Sequence, residues 1–92
     1  MHVSAVIDSS AEIGAGAAIG PFVVIGAGVR IGPRARILAH ASIAENAVIG
    51  ADALLHAGVR IGARVRIGDR FIAQPGAVLG ADGFSFVTPT LG

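Results

Sequence analysis

Ninety-two residues suffice for one small domain, near the size at which a single core is only just enough. The chain has 14 Gly, 4% aromatic residues, no Cys, and seven cationic residues (all Arg) against six acids, for a formal charge of +1. The missing thiols exclude a disulfide scaffold or thiolate metal site and fit a cytoplasmic origin, while the near-neutral charge and scarce aromatics remove the usual means of gripping nucleic acid.

The opening MHVSAVIDSS lacks a basic head followed by a long apolar segment, so it reads as no signal peptide. From Ile7 onward the chain keeps a beat of six. Ile7, Ile13, Ile19, Ile25, Ile31, Ile37, Ile43, Ile49, Leu55, Ile61, Ile67, Ala73 and Leu79 fall on it without a slip. Two residues before each lies a smaller side chain, from Ala5 and Ala11 through Val23 and Val29 to Val65 and Ala77, with Phe71 the exception. Gly follows the aliphatic at 14, 20, 26, 32, 50, 62, 68 and 80. The longest uncharged run, Ile13 to Val29, is shorter than the roughly 20 residues of a membrane-spanning helix and holds five glycines and Pro21. No membrane span is expected.

Residues two apart share a face of a strand, so the aliphatic and the small residue both point inward. The residue between them, such as Val24, Arg30, Arg36, Ser42, Arg60 or Arg66, points out. Glycine after the aliphatic allows a turn where a Cβ would clash. Each hexad is then a short strand plus a corner, and three hexads close a coil of 18 residues. The prediction is an all-β parallel β-helix of about four to five coils, with β-branched Ile filling a pleated interior. Residues 1–85 are assigned to the coils and 86–92 to an irregular tail. Stacking in steps of 18 puts Arg34, Asp52 and Arg70 in one corner column and Arg64 with Asp82 in another, as ion pairs between coils. Neither end of the stack carries a recognisable cap.

Candidate sites are few. His2 and His56 share a column three coils apart, and His40 stands in another, so no metal centre is expected. GAGAAIG and GAGVRIG miss the phosphate-binding glycine spacing and open no helix. Asp8 with Glu12, and Glu45 with Asp52, read as solvated surface acids. At the carboxyl end the rules bend. Phe71 takes a small-residue slot, Ala73 an Ile slot and Gln74 a Gly slot, and then comes QPGAVLGADGFSFVTP. That segment is either a frayed end with a hydrophobic plug or a loop that builds a site.

QPGAVLGADGFSF resembles the signature Q-[SP]-G-A-V-[IL]-G-[AS]-D-G-F-G-[FY] of the UDP-3-O-(3-hydroxyacyl)glucosamine N-acyltransferases of lipid A biosynthesis, members of the hexapeptide-repeat acyltransferases. The opening HVSAVIDSSAEIG is similar to the start of that family's β-helix. Val3, Ser9 and Ser85 depart from its pattern. The resemblance covers essentially the whole chain but only about the first half of the family's β-helix, and it implies left-handed winding. It also implies homotrimers, acyl transfer from acyl carrier protein to a UDP-glucosamine, no cofactor, and a histidine general base in coils downstream of this segment. Carried over residue by residue, Gln74, Gly80, Asp82, Gly83, Phe84 and Phe86 match the signature as substrate-binding candidates, with Phe84 and Phe86 lining the acyl or pantetheine cleft. No catalytic residue is assigned, so the chain alone is expected to be inactive but to associate into trimers or stacked assemblies. The alternatives are a stand-alone structural scaffold and the related UDP-N-acetylglucosamine O-acyltransferase, which shares I-G-P-F but lacks GADGF.

Overall fold

The computed structural model describes residues 4–80. It is a three-sided parallel β-helix with no helix among those residues. One face stacks β1 (Val6–Ile7), β4 (Val24–Ile25), β7 (Ser42–Ile43), β10 (Arg60–Ile61) and β13 (Val78–Leu79). A second stacks β2 (Glu12–Ile13), β5 (Arg30–Ile31), β8 (Val48–Ile49) and β11 (Arg66–Ile67). The third stacks β3 (Ala18–Ile19), β6 (Arg36–Ile37), β9 (Leu54–Leu55) and β12 (Ile72–Ala73). Every pairing is parallel and in one register: Ile7 lies beside Ile25, Ile13 beside Ile31 and Ile19 beside Ile37. That is one 18-residue coil per layer, as the beat of six requires.

Each strand is only two residues long because four of every six residues are spent on a corner. The backbone stays hydrogen-bonded all the same. Strand N–H groups donate to the next coil, as Glu12 does to the Val29 carbonyl at 2.8 Å and Arg36 to the Ala53 carbonyl at 2.7 Å. Corner N–H groups donate to the previous coil, as Arg34 does to Ala15 at 2.9 Å and Asp52 to Pro33 at 2.9 Å.

The inward series makes the core. Ile25, Ile37, Ile43, Ile49 and Leu55 are each no more than 1% exposed, and their small partners Val23, Ala35, Ala47 and Ala53 fill the space between. Ile7, Ile13 and Leu79, on the first and last described coils, are partly buried. Phe71 breaks this packing. Its slot holds fully buried Ala35 and Ala53 in the coils before, yet Phe71 is 37% exposed. The backbone keeps register there, with Leu54 N–H donating to the Phe71 carbonyl at 2.8 Å, so only the side chain departs.

The corners differ from the sequence expectation in one respect. Glycine after the aliphatic was expected to supply the turn. It is indeed needed, because a Cβ on Gly32 would stand 2.5 Å from the Gly50 carbonyl carbon. The turn itself falls two residues later. There φ is positive, at Gly16, Gly28, Gly58 and Gly76 but also at Phe22, Arg34, His40, Asn46, Asp52, Arg64 and Arg70. Side chains seldom adopt this conformation. From Phe22 onward it aims each N–H at the coil before, and those bonds offset the strain. In the first coil the acceptors are serine hydroxyls: Ser10 Oγ accepts from Gly28 N–H at 2.9 Å and Ser4 Oγ from Phe22 N–H at 3.1 Å.

Candidate functional site

Of the six residues the sequence singled out, Gln74 and Gly80 fall among the described residues; Asp82, Gly83, Phe84 and Phe86 lie outside them, as do His2 and the tail. Gln74 opens the corner that follows β12. Its side chain is exposed, and its carbonyl accepts the Ala77 N–H at 3.0 Å, closing the turn. Steps of 18 put Gln74 in the column of Gly20, Leu38 and His56. Beside that column runs another, where Phe22 and His40 stack with ring centroids 5.1 Å apart and planes 12° from parallel. The corner between the third and first faces thus gathers two histidines, a glutamine and an exposed phenylalanine.

Gly80 follows β13, where the beat changes. Its φ of +70° comes immediately after the aliphatic, two residues earlier than at the other corners. A Cβ there would collide with the Val65 side chain, and the Gly80 carbonyl packs so closely on Gly62 that a Cβ at 62 would strike it. Only a glycine pair can make this turn.

The acids dismissed as catalytic pairs are all but one engaged structurally. Arg34 grips Asp52 through Nε at 2.9 Å and Nη2 at 3.0 Å. These bonds, with the charges of Arg34 and Arg70, hold the Asp52 carboxyl below its ordinary pKa, and the same bonds with the charge of Asp52 raise that of Arg34. Asp8 accepts from the Ser10 hydroxyl at 2.6 Å and the Ser10 N–H at 2.9 Å, which lowers its pKa as well. Glu12 lies 3.7 Å from Arg30. Asp69 accepts the Ala51 N–H at 2.9 Å. The Arg34–Asp52 pair was legible from the 18-residue step, whereas Arg70, in the same column, forms no ion pair among the described residues and acts on Asp52 only through its charge; the partner expected for Arg64, Asp82, lies outside the described residues. The same step would have found Glu12 under Arg30 and Phe22 under His40. No three metal-ligating side chains converge among the described residues, and no helix there is long and apolar enough to cross a membrane.

Residues 1–83 match the family model described as the GMPPB C-terminal domain. The chain belongs to that family. The match runs over nearly the whole chain, up to Gly83 in the signature. The chain is also similar to the UDP-3-O-acylglucosamine N-acyltransferase of Polynucleobacter asymbioticus, 49% identical over 86 residues. That match takes in 94% of this chain and 24% of the relative, so the chain spans about a quarter of the relative's length. A match of 86 residues in a chain of 92 necessarily includes the segment from Gln74 to Phe84. The resemblance read from QPGAVLGADGFSF agrees with it.

Proposed function

We propose that the chain forms the opening coils of a UDP-3-O-acylglucosamine N-acyltransferase. The reaction moves a 3-hydroxyacyl group from acyl carrier protein to the 2-amino group of UDP-3-O-acylglucosamine, as a step of lipid A biosynthesis. The observation that carries this reading is 49% identity over 86 residues, 94% of the chain. Amine attack on a thioester needs a base near neutral pKa and donors for the developing oxyanion. The family resemblance assigns that base to a histidine downstream of GADGF; His40 and His56 are not given the role. In this reading the prism works as a homotrimer with the reaction in clefts between prisms, the UDP-glucosamine and acyl carrier protein as its partners, and the cytoplasm as its location. Gln74, Gly80, Asp82, Gly83, Phe84 and Phe86 would shape the acceptor or acyl side of the cleft.

A chimera tests this directly. The 92 residues replace the matching coils of the Polynucleobacter relative, and acyl transfer is assayed with acyl carrier protein as donor. Retained transfer is expected, together with a changed rate or chain-length preference in Phe84→Ala. A folded, correctly assembled chimera without activity would contradict the proposal. The chain assayed alone is expected to show no turnover.

A second reading is a stand-alone structural scaffold, in which the unpaired backbone groups at the ends of the stack drive the coils to associate with copies of themselves. An inactive chimera combined with self-association of the chain in light scattering would select it.

A further inference from the structure

The first two coils differ on the third face. In the columns where β6 and its corner carry Arg36 and Leu38, the coil below carries only Ala18 and Gly20. Two long side chains over two small ones leave a groove of about 260 Å³, lined by Ala18, Ile19, Gly20, Arg36, Ile37 and Leu38. Beyond its corner end stands Phe22, 58% exposed and stacked on His40, which continues the apolar surface.

Arg36 is the polar side chain of this lining. Arg30 has Glu12 and Arg34 has Asp52, but Arg36 makes no ion pair among the described residues. Its column holds Ala18, Leu54 and Ile72, none of which can neutralise it. A guanidinium without a counter-ion, at the edge of an apolar groove, matches a planar carboxylate joined to a hydrocarbon body. The groove lies just below the roughly 300–1,000 Å³ of drug-sized ligand sites, so the body must be small.

We propose that this groove binds small apolar carboxylates. The carboxylate pairs with Arg36, and the hydrocarbon lies along Ala18 to Gly20 against Leu38. The proposal concerns the first two coils and does not depend on the chain serving acyl transfer.

The test is a titration of the full isotope-labelled chain with octanoate, followed by amide NMR, with acetate and octanol as controls. Octanoate is expected to shift the amides of residues 18–20 and 36–38 with a Kd on the order of 1 mM. Acetate shifts them little, and octanol binds more weakly. Arg36→Gln, at an exposed position, lowers octanoate affinity about fivefold through loss of the charge-assisted bonds. Ala18→Leu fills the groove from outside the core and abolishes the localised shifts. The proposal is overturned if acetate and octanoate act alike, if the shifts spread evenly over all seven arginines, or if neither folded variant changes the affinity.

Discussion

Asp52 shows how much one corner residue does. It adopts a left-handed φ of 57°, donates its N–H to Pro33, and binds Arg34 with both carboxylate oxygens. Because its folded pKa lies below the ordinary value of 3.8, its contribution is present at neutral pH and is lost as the pH falls through that lowered value. Asp8 behaves the same way through Ser10. The unfolding midpoint should therefore hold between about pH 7 and 5 and drop below about pH 4, with a shallower drop in Asp52→Asn. An acid profile identical in the variant would contradict the role given to Asp52. Asp52 and Arg34 are exposed, so the part of the effect that comes from their charges should also shrink in molar salt. Ser10→Ala removes the acceptor of the Gly28 N–H and should cost roughly 0.5–1.5 kcal/mol, read from denaturant midpoints.

At the scale of the hexad, two kinds of glycine can be told apart by substitution. Gly32 is held by close approach of the next coil, so Gly32→Ala pushes a Cβ into the Gly50 backbone and should cost at least the roughly 1–3 kcal/mol of an overpacked site. Gly58 is held by its φ of +75° alone, with Gly76 backbone no nearer than 3.8 Å to a Cβ. Gly58→Ala should then cost only about 1 kcal/mol, the conformational penalty that Arg34 and His40 already bear in the same slot. Equal costs at the two positions would contradict this assignment. Inside the hexad, Ile43→Ala should cost about 2–5 kcal/mol, since the core between rigid coils cannot collapse to fill the cavity.

For the whole molecule, the strands and core were legible because a single rule, an inward aliphatic every six residues, sets every coil. The corners were less so. A positive φ at Phe22 or Arg64 follows from hydrogen bonding to the neighbouring coil, which no local propensity reports. The groove beneath Arg36 and Leu38 was also hidden, because it depends on what stands 18 residues away rather than on any motif. Gln74 and Gly80 were singled out by resemblance alone, and the positive φ of Gly80 marks a change in the beat of six that the spacing of the aliphatics does not announce. All of it rests on pairing between residues one coil apart. Scalar couplings across hydrogen bonds, measured by NMR on the labelled chain, report those pairs atom by atom. Couplings from the Arg30 amide to the Ala47 carbonyl and from the Ser42 amide to the Val59 carbonyl are expected. Couplings that instead join neighbouring hexads in antiparallel order, or run within a helix, would contradict the stacked coil and every site built upon it.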